Sequence, residues 1–330
     1  MKTMSLAEIE DLLAGIDDRW LFATANEVRD SMFGADVYLR GVIEFSNYCM
    51  RKCHYCGLRK PNEKIKRYRL QKDEILEAAS ILPEFKLGTA VLQSGDDYYY
   101  GKKLVGDIVQ EIKNRYDVAI TLSLGDRNEN EYRYWKDCGA DRYLLKVETF
   151  HKELHERFRP HQSLDERINR LCFLRNLGYE IGSGIIVGLP GTDLDILAED
   201  IKALSGLELD MIAVGPFVPH PDTPLGKESA GSLLLSYRAI AILRLMNPGA
   251  NIPATNSFAA LDPRGKAKAL KCGANIVMPS ITPEVVRSRY NIYPGKNMRF
   301  LRVHEEVEAA KLLICGCDLT PSSSKGFSVR

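Results

Sequence analysis

Eight short apolar runs, separated by segments with helical spacing, constrain this 330-residue chain more than any other feature. The runs are Gly41–Cys49, Thr89–Gly95, Ala119–Gly125, Arg142–Glu148, Ile181–Leu189, Met211–Val218, Asn251–Ser257 and Ala274–Ser280. Between them, Lys72–Ile81, Lys103–Arg115, Leu164–Leu177, Leu194–Leu204 and Leu233–Leu245 repeat apolar residues at the three- and four-residue steps of an amphipathic helix. Strands that alternate with helices pair in parallel through right-handed crossovers. Eight of them point to a closed (β/α)8 TIM barrel over an open doubly wound sheet, because closure leaves no strand edge to protect. Two helices, Leu6–Ala14 and Trp20–Met32, precede the first strand. The expected α/β fold is therefore a barrel with an N-terminal helical extension and a C-terminal capping segment. It is read as one domain: helices in 1–38, barrel core in 39–281, closing segment in 282–330.

The C-terminal ends of the runs turn polar, at Cys49, Gln93-Ser94, Ser123, Glu148, Pro219-His220 and Thr255-Asn256. Barrel enzymes carry their chemistry at that face. Any one polar end is ordinary, but their coincidence over most of the strands points to a site in the mouth.

Charge excludes some partners. Lys and Arg number 45 against 44 Asp and Glu, so no global field recruits nucleic acid or an anionic membrane. The basic stretch from Arg59 to Arg69 reads as a solvated loop, with a docking face for an acidic electron carrier as the sharper alternative. No apolar run nears the roughly 18 residues that span a bilayer. The N-terminal segment carries acidic residues on an amphipathic pattern, unlike a secretory leader, so a cytoplasmic location is expected. Thiols stay reduced there, and the chain's eight cysteines then read as metal or redox chemistry before disulfides.

Three of them, Cys49, Cys53 and Cys56, fall at x3 and x2 spacing directly after the first strand. So short a loop can aim three sulfurs at one point, and thiolates select zinc, copper(I) or iron–sulfur clusters. Structural zinc wants a closed set of four ligands, and no second cysteine knuckle exists. His54 as the fourth would strain the loop beside Cys53. A [4Fe–4S] cluster held by three thiolates leaves one iron open to an outside ligand, and the spacing favours it.

This C-x3-C-x2-C motif, with aromatic Tyr55 before its last cysteine, resembles the signature of the radical S-adenosylmethionine (SAM) superfamily. The resemblance implies that the open iron binds SAM and that one electron cleaves the sulfonium to methionine and a 5′-deoxyadenosyl radical. It also implies a small reductant such as a ferredoxin or flavodoxin. Segments along nearly the whole chain, among them VIEFSNYCMRKCHYCGLRK, VLQSGDD, GADRYLLKVET, VGLPG, GPFVPHPDTPL, CGANIVMPS and YPGK, resemble the HydE family of [FeFe]-hydrogenase maturases. Methylornithine synthase (PylB) and biotin synthase are its neighbouring families. A HydE-like paralogue acting on another small molecule, such as an amino acid, is the alternative reading. The HydE resemblance implies other hydrogenase maturases as partners.

By this resemblance Tyr55, Gln93, Ser94, Ser123, Glu148, Arg167 and Met211 contact SAM, while Lys146, Thr255, Asn256, Tyr290 and Tyr293 line the substrate cavity. Each has a plainer reading. Tyr55 could be a core aromatic, Arg167 a surface arginine, Glu148 a salt-bridge partner, and the tyrosines packing under the cavity. Lys146-Val147 and Asn256 depart from the family's Arg-His and second threonine, which leaves substrate identity open. Cys315 and Cys317 are too few for an accessory cluster, and Cys138, Cys172 and Cys272 read as buried and inert.

Overall fold

In the computed structural model, which describes residues 3–296 and 301–330, parallel strands and helices alternate as the hydrophobic pattern predicts. Helices α1 (Leu6–Ala14) and α2 (Asp18–Phe33) lead into β1 (Asp36–Ser46). Ser5 caps α1 through a reciprocal box, accepting from the Glu8 amide at 3.2 Å while Glu8 accepts from the Ser5 amide at 2.8 Å. The chain continues through α3 (Lys72–Ala79), β2 (Thr89–Ser94), α4 (Lys102–Arg115), β3 (Ala119–Ser123), α5 (Glu129–Asp137) and β4 (Arg142–Leu144). Next come α6 (Lys152–Phe158), α7 (Leu164–Asn176), β5 (Glu180–Val187), α8 (Leu194–Gly206), β6 (Met211–Pro216) and α9 (Leu233–Met246). Short helices α10 (Asn256–Leu261) and α11 (Gly265–Leu270) precede β7 (Ile276–Val277), and α12 (Glu284–Arg287), α13 (Val303–Cys315) and β8 (Thr320–Ser322) follow it.

Seven strands form a parallel sheet ordered β6-β5-β4-β3-β2-β1-β7, and β8 pairs with the start of β1. Each central strand is almost continuously apolar because both faces are covered. The expected seventh strand, Asn251–Ser257, is not a regular strand. It touches β6 through one bridge at Met211–Asn251 and β7 through one at Pro253–Ile276. Pro253 has no amide hydrogen to give to a ladder, and Thr255-Asn256 already start α10. The expected eighth run shrinks to two residues, Ile276–Val277.

The strand starts meet the residues after β8. Thr89 Oγ1 and Arg142 Nη2 donate to the Lys325 carbonyl at 2.9 and 2.7 Å, and Arg40 and Asn251 both donate to that of Gly326 at 3.0 Å. Ser328 binds Glu180 and Asp210. Polar groups that a sheet end would otherwise bury unpaired are satisfied by this segment. Among the described residues no helix is long and apolar enough to cross a membrane.

Candidate active site

The opposite strand ends surround a cavity of about 340 Å³. Its walls carry Val42, Val91, Leu144, Ile186, Ala213 and Met278, an apolar sleeve from six strands or their ends. At one side lies the loop after β1 with Cys49, Cys53 and Cys56, all of which line the cavity. Several contacts fix that loop. The Met50 amide donates to the Asp96 carbonyl at 3.0 Å, the His54 amide to Phe158 at 2.9 Å and the Gly57 amide to Ile292 at 2.8 Å. Arg67 gathers the carbonyls of Asn47, Leu58, Arg59 and Asn62. The basic stretch is thus not simply solvated: Arg67 braces the cysteine loop, and Arg69 pairs with buried Asp97 at 2.8 Å.

All three cysteines are free thiols. Burial, then the charges of Asp96 and Cys53, pushes the Cys49 thiol up to about 12, and burial with both neighbouring cysteines pushes Cys56 up as well. Uncompensated, these thiols hold their protons; a multivalent centre that binds them as thiolates reverses the balance. The loop also offers N–H donors to sulfur, from the Arg51 amide to Cys49 at 3.4 Å and from Gln162 to Cys53 at 3.6 Å. No three His, Cys, Asp or Glu side chains among the described residues gather around a single-ion position. A four-iron cluster spreads its thiolate ligands over its corners, so this donor set fits it without such convergence.

Most of the expected site residues share the cavity: Tyr55, Gln93, Ser94, Ser123, Glu148 and Arg167, together with Lys146, Thr255, Asn256, Tyr290 and Tyr293. Met211 does not. It begins β6 near the base of the sheet, where its sulfur accepts from Arg40 Nη1 at 3.1 Å and its side chain packs on Gly182. A residue at a strand start cannot face a mouth formed by strand ends, so its expected contact with SAM is corrected. Cys172 is likewise exposed, not buried, whereas Cys138 and Cys272 are buried as expected.

Glu148 sits in the left-handed region at φ 71°, uncommon for a residue with a side chain, and its amide donates to the Gly184 carbonyl at 2.9 Å. Its carboxylate meets Lys146 Nζ at 2.8 Å and Arg159 at 3.9 Å. Arg167 is held by the Lys146 carbonyl at 2.7 Å and Asp126 at 2.6 Å. Asp126 also faces Arg51 at 3.3 Å and Arg170 at 3.8 Å. Burial alone would raise the Asp126 carboxyl, but these arginines hold it below its ordinary value. Burial and the Glu44 charge keep the Tyr290 and Tyr293 phenols protonated. On the same wall Glu44, fully buried, binds Lys296 at 2.6 Å and Ser280 at 2.7 Å.

Sequence reasoning missed Arg51, Asp96, Asp126, Arg159, Gln162 and the Glu44–Lys296 pair. One signal was available: Gly-Asp recurs just after two consecutive strands, at Gly95-Asp96 and Gly125-Asp126. Both aspartates carry Arg51.

Comparison with known proteins bears on the same residues. The sequence profile of the Radical SAM superfamily matches residues 43–222. The [FeFe] hydrogenase maturase subunit HydE of Thermotoga maritima is 46% identical over 84% of this chain and 79% of the relative. The 3-methylornithine synthase of Methanosarcina acetivorans is 34% identical over 80% of this chain and 74% of its own length. The crystal structure of methylornithine synthase (PylB) superposes with a TM-score of 0.85 at 29% identity, covering 97% of this chain and 95% of that one.

Proposed function

The chain belongs to the radical SAM superfamily, and from that premise we propose that it is a HydE-type maturase acting in assembly of the [FeFe]-hydrogenase active site. One observation carries the reading: three thiols from a single loop open onto the same cavity as Glu148, Arg167 and a set of polar side chains. The cofactors are a [4Fe–4S] cluster and SAM; when bound, the cluster supplies the electron that cleaves SAM to methionine and a 5′-deoxyadenosyl radical.

The chain's own residues do the rest. Cys49, Cys53 and Cys56 hold the cluster. Tyr55, Gln93, Ser94, Ser123, Glu148 and Arg167 receive SAM, with Arg167 held in place by Asp126. Lys146, Thr255, Asn256, Tyr290 and Tyr293 meet the substrate. The apolar sleeve keeps water from a species that would abstract hydrogen from anything near it. The 251–254 segment, bonded to both β6 and β7, completes a (β/α)8 barrel, and the residues after β8 cap its base. Residues 1–38, 39–281 and 282–330 form one domain in the cytoplasm, served by a ferredoxin or flavodoxin and working beside other hydrogenase maturases.

A paralogue acting on an amino acid is supported by Lys146, whose ammonium stands in the cavity at 2.8 Å from Glu148. The higher identity to HydE favours the maturase. The test is anaerobic purification followed by iron analysis and assay for 5′-deoxyadenosine with SAM and dithionite. The chain should carry about four irons on one cluster and cleave SAM, and Cys53→Ser should lose both. Adding the chain to a maturation mixture lacking HydE should activate apo-hydrogenase; SAM cleavage without activation would move the assignment to the paralogue.

A further inference from the structure

Two buried side chains beside the cysteine loop have no task in the reading above. Gln162, 8% exposed, donates its amide to Cys53 Sγ at 3.6 Å. Its carbonyl oxygen accepts from Arg159 Nη2 at 2.6 Å. The arginine thereby fixes which end of the amide faces the sulfur: oxygen to the guanidinium, NH2 to Cys53. Arg159, 5% exposed, also donates from Nη1 to the Tyr55 hydroxyl at 2.6 Å and stands 3.9 Å from Glu148. A guanidinium can serve these partners at once because its donors form a rigid fork.

The backbone closes the two side chains on each other. Arg159-Pro160-His161-Gln162 is a tight turn, with the Gln162 amide donating to the Arg159 carbonyl at 3.1 Å. Proline in its second position and a left-handed residue in its third, His161 at φ 63°, are the marks of a type II turn. The third position normally takes glycine; histidine there stores strain.

We propose that Arg159 and Gln162 are a positioning pair that sets the reduction potential of the cluster, Gln162 by donating to the Cys53 thiolate and Arg159 by locking the amide that does so. The proposal rests on Cys53 being a cluster ligand. Reduction adds an electron to the cluster and makes its thiolates more negative, so an N–H donor at sulfur stabilises the reduced form more than the oxidised one. Removing the donor lowers the potential. Removing the guanidinium frees the amide to turn its oxygen toward sulfur, which lowers it too.

The experiment is a mediated dithionite titration followed by electron paramagnetic resonance, on reconstituted wild type, Gln162→Met and Arg159→Lys. Gln162→Met keeps length and loses the donor. Its equilibrium constant for one-electron reduction should fall about tenfold, which is about 59 mV lower. Arg159→Lys keeps the charge and loses the fork, so it should shift in the same direction by a smaller amount. Gln162→His, which restores a ring N–H, should recover part of the loss. If Gln162→Met fails to hold iron, Arg159→Lys carries the measurement. A wild-type potential in any iron-replete variant lacking the donor or the fork overturns the proposal. An iron-free wild type, or a full cluster in Cys53→Ser, would instead overturn the reading beneath it.

Discussion

Replacing Gly95 with alanine asks how closely the end of β2 must approach the cysteine loop. A Cβ at Gly95 would lie 2.2 Å from the Tyr48 carbonyl oxygen and 2.7 Å from Cys49 Cβ. Both obstacles are fixed, one being backbone and the other the root of a side chain proposed to bind the cluster. Opening the first contact from 2.2 Å to 3.4 Å, where ordinary van der Waals distances begin, takes a movement of about 1.2 Å. That displaces Cys49 by several times the roughly 0.2 Å over which metal–ligand distances hold. It also strains the Met50–Asp96 bond that anchors the loop. Overpacking of this kind costs about 1–3 kcal/mol, which a domain with about 5–15 kcal/mol of stability survives. The expected result is a folded protein with reduced iron after anaerobic reconstitution and a matching loss of 5′-deoxyadenosine formation. Circular dichroism and urea denaturation establish that it is folded. Gly101→Ala is the control, since nothing lies within 4 Å of a Cβ there. Gly95→Ala protein with wild-type iron and wild-type cleavage would refute the close-approach argument.

Asp126→Asn removes the anion that pairs with buried Arg167 among the described residues; urea denaturation should show a loss of about 3–5 kcal/mol, and SAM binding should weaken. His161→Gly should relieve the left-handed backbone and stabilise the chain by about 1 kcal/mol in the same assay. His155 is fully buried, and burial, then the charges of Arg159 and Arg167, pushes its imidazole down to about 4 from 6.5. The fold favours its neutral form, so its contribution is complete above pH 6.5 and is lost as pH falls toward 4, by at most about 3 kcal/mol. Asp200, raised by burial to about 6 from 3.8, has the opposite sign: its contribution is present at low pH and is lost as pH rises from 3.8 through 6. In His155→Gln, denaturation midpoints between pH 6.5 and 4 should therefore fall less on acidification than in the wild type, and an equal fall would contradict the assignment.

Much of the architecture could be read from hydrophobic period alone. Leu6–Ala14 is a helix with those bounds, and β2, β3, β5 and β6 begin within a residue of their expected starts. The misses have local causes. Strand β1 starts at Asp36, earlier than expected, because β8 pairs with its first residues, and a partner so distant in sequence leaves no mark on Asp36–Arg40. Strand β4 is only three residues long, and the expected run beyond it ends in the left-handed Glu148, which no side-chain pattern announces. The cysteine loop was legible because its spacing is specific. The arginines and aspartates around it were not, because a charged residue on a helix or turn looks the same whether it meets solvent or, as with Arg159 and Arg167, a buried partner. Met211 was misplaced for a different reason: the family resemblance carried it to SAM although it stands first in its apolar run, and the register pairs it with Gly182, near the start of β5.

Where Thr255 and Asn256 enter α10, the wall between β6 and β7 is made by the opening turn of a helix instead of a ladder of paired backbone. Strand residues on the rim such as Gln93 and Ser123 owe their direction to register, and changing how they sit means slipping a whole strand. Thr255 and Asn256 owe theirs to a local turn; Thr255 also donates to the Val214 carbonyl of β6 at 3.3 Å, so Asn256 is the one whose exchange leaves the neighbouring strand alone. With these residues proposed to meet the substrate, this seam is where a designer wishing to refit the scaffold for a different guest would begin.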